Sequence, residues 1–234
     1  MYSLNGNRNL THQVTYELGC AIVQGRYPVG DGFPTEAQLC RQYQISRSVV
    51  REAVKMLTAK GLLSSRPRQG IRVLPASAWN MFDPDVLQWS FNGCPSLALQ
   101  HEFFELRMAL EPDAAALAAQ RQNDEVIQRL KHALATLEKA VNAPASPMEA
   151  IIDFHLSVLR ASGNRFFVQL CHFIRMAIEV DIAAGRYSSS DYADYRAVAE
   201  AIIMADESGA RDAMIDLLSR MHHKPDIALS SSVS

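Results

Sequence analysis

The chain has 234 residues and a formal net charge of −2. That length buries a real core and fits one or two domains, and an apolar content of 48% argues against global disorder. No stretch approaches the roughly 18 apolar residues that span a bilayer, and MYSLNGNRNL carries no cationic segment followed by an apolar run, so a cytoplasmic compartment is expected.

Taken in chain order, residues 11–25 place Val14, Leu18, Ala21 and Ile22 near one helical face, with Thr11 as the expected N-cap and Gly25 as the stop. A turn, RYPVGDGFP, follows. Thr35 then caps a second helix with Leu39 and Cys40 facing inward. Gln44 and Ile45 break the pattern. Ser46 caps a third helix, and Val49, Val50, Ala53, Val54 and Leu57 supply its inner face up to Gly61. This is a helix, tight turn, helix. In LLSSRPRQGIRVLP two short strands flank a turn bounded by Pro67 and Gly70, with Leu62, Leu63, Ile71 and Val73 closing the core as a small wing.

Charge is distributed unevenly. Residues 1–75 hold 10 Lys and Arg against 4 Asp and Glu, and the remainder holds 13 against 21. The front segment suits a polyanion and the rest is repelled by one. In a helix-turn-helix the second helix enters the major groove by its N-terminal end, which also presents free N–H groups to a phosphate. Ser46 and Ser48 suit phosphate contacts, and the Ser46 role is compatible with capping. Arg47 and Arg51 share one face and reach a phosphate or a guanine edge. Arg66, Arg68, Gly70 and Arg72 extend the basic surface along the wing toward the backbone or minor groove.

These residues carry a resemblance. Gly25 through Val73, with GRYPVGDGFPTEAQL, ISRSVVREAVKMLTAKGLL and QGIRV, resembles the winged helix-turn-helix of the GntR superfamily. The resemblance implies operator-specific binding to double-stranded DNA as a homodimer. Two positions depart from the pattern. Ala37 follows Glu36 where relatives commonly have Arg, and Arg68 replaces the first of two wing glycines.

Residues 76–100 read as a linker with a connecting helix started by Asp83-Pro84 around Val86, Leu87 and Trp89; Trp79 and Trp89 read as packing anchors. Amphipathic helices are then expected near 101–119, 123–141, 147–161, 164–184, 188–207 and 209–222, joined by short loops as in an antiparallel bundle. The expected architecture is mostly α, with a winged helix-turn-helix at 8–75, a linker and connecting helix at 76–100, and a helical effector-binding and dimerisation domain at 101–224. The four cysteines, Cys20, Cys40, Cys94 and Cys171, are widely spaced and form no CxxC, so free thiols are expected.

ELRMALEPDAAALAA, FHLSVLRASGN and YRAVAEAIIMADESGARDAM resemble the all-helical effector domain of the FadR subgroup, the FCD domain. The linker WNMFDPDVLQW resembles those of sugar-acid (galactonate-type) repressors. Many members of the subgroup hold a divalent metal with an Asp, a His four residues later and two further His. Here His155 matches the first His, but Ile151, Tyr195 and Leu217 occupy the other positions, so the resemblance implies a degenerate site and no metal cofactor. An acid effector then needs Arg, His or hydroxyl donors. Arg107 is the leading candidate, with pairing to Glu105 or Glu111 as the structural reading. His155, Asn164, Arg175 and Tyr195 are further pocket candidates. His155 equally suits a core role, Asn164 a helix stop, and the Tyr195 ring a filled metal cavity. The expected function is a transcription regulator, a repressor released by a small organic or sugar acid. The alternative is a constitutive or architectural DNA-binding protein whose helical domain only dimerises. No nucleophile elbow, P-loop or dinucleotide fingerprint supports an enzyme.

Overall fold

A computed structural model describes residues 4–30, 32–66, 69–91, 96–143, 146–183, 186 and 192–222, with side chains of the first helix described from residue 10. The chain divides into two compact units, one through residue 95 and one from residue 96.

In the first unit, α1 (Leu4–Val23), α2 (Glu36–Tyr43) and α3 (Arg47–Ala59) precede β1 (Leu63–Arg66), β2 (Gly70–Val73) and α4 (Pro84–Phe91). Thr11 is not the expected cap: α1 starts at Leu4, and no proline between Leu4 and Thr11 interrupts its ladder. The stop is as expected. Gly25 takes φ +72° and donates to Ile22, while Arg26 donates to Ala21. Thr35 and Gln38 form a capping box at α2. Gln44, left-handed at φ 53°, turns the chain out of α2.

β1 and β2 are antiparallel, with Leu63 opposite Val73 and Ser64 opposite Arg72. One face of the ribbon directs Leu63, Ile71 and Val73 into a core shared with Val14, Leu18, Leu39, Val50 and Leu57. Residues 76–91 are not a free linker. Pro84 opens α4, and the Asp83 carboxylate accepts from the N–H groups of Asp85 and Val86. Val86 and Trp89 join the first unit's core. Lys60 Nζ pairs with Asp83 at 2.7 Å and Asp85 at 2.8 Å, and Trp79 Nε1 donates to the Leu74 carbonyl.

The second unit contains α5 (Leu97–Arg121), α6 (Asp124–Val141), α7 (Met148–Ala161), α8 (Arg165–Gln169), α9 (Cys171–Ala183), α10 (Tyr192–Ile203) and α11 (Glu207–His222). α5 begins before the expected 101 because Ser96 caps it, accepting from Leu99 N. It packs against α7, α9, α10 and α11, while α6 packs against α7 and α10. The expected helix at 164–184 is broken at Leu170, whose N–H is shared between the carbonyls of Phe166 and Phe167. Asp206 caps α11 by accepting from Gly209 N at 2.8 Å. Leu130, Leu137, Ile152, Phe154, Ile174, Val198 and Leu218 form part of one continuous core.

Cys20, Cys40 and Cys171 are free thiols; Cys94 lies outside the described residues.

Candidate nucleic-acid interface and buried polar site

Ser46 is the N-cap of α3. Its hydroxyl accepts from Val49 N at 3.4 Å and lies 2.9 Å from the Ser48 hydroxyl. Arg47, Ser48 and Arg51 are exposed, while Val49, Val50, Ala53 and Val54 behind them are buried. The helix therefore presents its positive end and its polar side chains together. Arg51 Nε lies 3.4 Å from Glu36 Oε2 of α2, with the arginine side chain 74% exposed. On the wing, the register puts Ser64, Arg66, Gly70 and Arg72 on the face opposite the core. Gly70 takes φ +76°, a conformation glycine adopts at no cost. Arg68 lies outside the described residues.

The bundle holds a second concentration of polar groups. Arg107 of α5 is 1% exposed, as is Glu111 one turn later, and His155 of α7 is fully buried. Arg107 Nε donates to Glu111 Oε1 at 2.5 Å, and Arg107 Nη1 donates to Asp181 Oδ2 of α9 at 2.9 Å. Glu111 Oε2 lies 2.5 Å from His155 Nδ1. Arg186 Nη1 donates to Asp181 Oδ1 at 2.7 Å, and its Nη2 donates to Gln100 Oε1 at 2.5 Å.

Burial raises the Glu111 carboxyl, but the Arg107 guanidinium and His155 outweigh it and hold the group at about 2. Burial lowers the His155 imidazole against the pull of Glu111. An ionised carboxylate only accepts, so neutral His155 donates its Nδ1 proton to Glu111 and keeps its lone pair on Nε2. Arg107 Nη2, 3.5 Å from the same Nδ1, is then in contact without a hydrogen bond. The buried Tyr195 ring stands edge-on to His155, with centroids 5.7 Å apart.

Of the effector candidates, Arg107, His155 and Tyr195 meet in this core. Arg107 takes Glu111 as its partner; Glu105 is exposed beside His101. Asn164 caps α8 by accepting from Phe166 N at 3.0 Å. Arg175 pairs with Glu149 at 3.0 Å and lies near Asp153 and Glu179. Sequence reasoning missed Asp181, Arg186 and Gln100. The only local sign was an acidic residue between Val180 and Ile182 in an apolar run, and its partner Arg107 is 74 residues away.

Residues 10–73 match the family of bacterial regulatory proteins called gntR, and residues 102–220 match the FCD domain. The uncharacterised helix-turn-helix regulator YieP of Escherichia coli is 32% identical over 220 residues, covering 92% of this chain and 95% of the relative. The chain belongs to the GntR family of transcription regulators. This GntR regulator is also 33% identical to the galactonate operon transcriptional repressor of E. coli over 162 residues, covering 69% of this chain and 71% of the relative. Among solved structures, a GntR protein of Streptococcus agalactiae matches with 28% identity and a TM-score of 0.52, covering 90% of this chain and 97% of that one. The family and these relatives are transcription regulators and not enzymes, and the chain is a DNA-binding regulator of that family.

The residues at the four positions matched above to a divalent-metal set do not themselves make up such a set in this GntR chain. Ile151 and Leu217 are buried hydrocarbon, and the exposed Asp153 carboxylate lies 3.9 Å from Arg175. His155 and the Tyr195 phenol are the donors left at the four matched positions, short of a divalent ion's usual set.

Proposed function

We propose that this GntR regulator is a homodimeric cytoplasmic repressor, released from its operator when a small organic or sugar acid enters the FCD bundle, without a divalent metal. The observation that carries the reading is the buried network of Arg107, Glu111, His155, Asp181 and Arg186. Burying charges costs several kcal/mol per ion after relaxation, and hydrocarbon of similar volume often does as well for stability. A bundle serving only as a dimerisation block gains little stability from such a set. The names of relatives agree in kind: one represses a galactonate operon and another regulates the Uxu operon.

DNA is read by α3 from each protomer in successive major grooves, about 34 Å apart on a two-fold operator. Ser46, Ser48, Arg47 and Arg51 approach the groove and its phosphates, and Arg66, Arg68 and Arg72 follow the adjacent backbone. Acid binding acts through different affinities of the two arrangements of the reading heads.

One observation favours a constitutive regulator instead: each buried arginine already has a carboxylate partner. Thermal melting of chelator-treated protein against a panel of aldonates and hexuronates separates the readings. At least one acid is expected to raise the melting temperature of the bundle. No response across the panel favours the constitutive reading, and a response that returns only with added zinc or manganese contradicts metal independence.

A further inference from the structure

Asp181 stands between two guanidinium groups. Its Oδ2 accepts from Arg107 at 2.9 Å and its Oδ1 from Arg186 at 2.7 Å. Each oxygen of one carboxylate meets a different arginine, and that is a geometry any organic carboxylate satisfies. Arg186 is itself fixed by Gln100 of α5 at 2.5 Å.

The two buried carboxylates differ in freedom. Glu111 sits inside α5 at 1% exposure and spends both oxygens on Arg107 and His155. Asp181 lies two residues before the end of α9, with its side chain 15% exposed. Asp181 has a path outward that Glu111 lacks. Charge gives the same direction. Among the described residues, Arg107 and Arg186 are matched by Glu111 and Asp181, so an anion added to these four leaves unmatched charge unless a resident carboxylate leaves.

We propose that an effector carboxylate binds by exchange with Asp181, taking its place between Arg107 and Arg186. Asp181 is a built-in competitor that sets the concentration at which an acid is sensed, and Arg186 is a specificity-determining residue of the site. The ligand class is an organic acid with a single carboxylate end, and no metal takes part in holding that end. This inference rests on the acid-responsive reading above.

Chemical rescue tests the clamp without knowing the natural ligand. In Asp181→Ala (D181A), sodium acetate is expected to raise the melting temperature of the bundle beyond sodium chloride or acetamide at matched concentration. The native protein, in which Asp181 competes, is expected to show a smaller acetate-specific rise than D181A, and the double variant D181A/R186Q none. Acetate acting no better than chloride on D181A overturns the clamp. Asp181→Asn (D181N), which keeps the shape and drops the charge, carries the same comparison if D181A fails to fold.

Exchange itself is read with D-galactonate and D-gluconate by calorimetry. A competitor filling the clamp nine-tenths of the time weakens apparent affinity about tenfold. D181N is therefore expected to bind an acid about tenfold more tightly than native protein. An acid that binds both proteins equally, or D181N more weakly, overturns exchange and leaves acid sensing intact. Acetate rescue of D181A without any acid effect on native operator binding would instead overturn the acid-responsive reading, and with it Asp181's role as a competitor.

Discussion

Arg51 and Arg107 are both arginines paired with a glutamate, and their surroundings give them opposite uses. The exposed Arg51–Glu36 pair at 3.4 Å is screened by water and contributes little to stability, so its guanidinium remains available to DNA. Arg47→Ala and Arg51→Ala are each expected to lose about 1–3 kcal/mol of operator affinity. Their melting curves should be unchanged in the same preparations, and native-like DNA binding by both variants would remove α3 as the recognition helix. The Arg107–Glu111 pair is buried, and breaking it strands a charge. Glu111→Gln (E111Q) is expected to cost about 3–5 kcal/mol in denaturant unfolding of the second unit. The pH dependence has a definite sign. The folded values of His155 and Glu111 both lie below their unfolded values, so the unfolded chain takes up these protons first as pH falls. The His155 contribution is complete above about 6.5 and is lost below it, followed by that of Glu111 from about 4.5 toward about 2. Replacing His155 by Gln should flatten the loss of stability between about pH 7 and pH 5, and an unchanged slope would contradict a neutral buried imidazole. Helical spacing made Arg47 and Arg51 legible in the sequence, because a surface arginine needs only its own helix to place it. The Asp181–Arg107 contact was not legible, since it depends on how α9 meets α5.

Among the elements, α4 shows the same division. Asp83-Pro84 announced a helix start, and the helix begins there. Its seat against α1 had no local sign, because it depends on Gly19 and Trp89, 70 positions apart. A Cβ on Gly19 would lie 2.4 Å from the Trp89 ring, and Trp89 is buried. In an isolated helix Gly→Ala stabilises by about 1 kcal/mol. Here overpacking outweighs that gain, and Gly19→Ala (G19A) is expected to lower the stability of the first unit by about 1–3 kcal/mol. Denaturant midpoints would check this, and a more stable G19A would mean that Trp89 is not held against α1. The wing was legible as an element because turn residues and apolar alternation coincide. The start of α1 was not, since the helix begins at Leu4 and continues through Thr11.

At the scale of the molecule, the charge division is the broadest sequence feature with a functional consequence. The basic front segment and acidic remainder leave the chain at a net −2, so attraction to DNA is expected from the local surface of the front unit and not from the overall charge. Operator affinity is therefore expected to fall steeply with salt, and Arg66→Ala or Arg72→Ala should make that slope shallower if these residues neutralise phosphates. Slopes equal to that of native protein would take the wing off the DNA backbone. The family was legible because several different motifs stand at fixed spacing along the chain. The polar core of the bundle was legible at Arg107, its candidate partner Glu111, His155 and Tyr195, and not at Asp181, Arg186 or Gln100, which come from outside those motifs. The most direct test of the whole account is the operator dissociation constant of chelator-treated native protein, measured by fluorescence anisotropy with and without saturating D-galactonate or a related sugar acid. An acid of this class is expected to weaken operator binding at least about tenfold with chelator present. An operator affinity that no such acid changes, or that changes only after metal is restored, would contradict it.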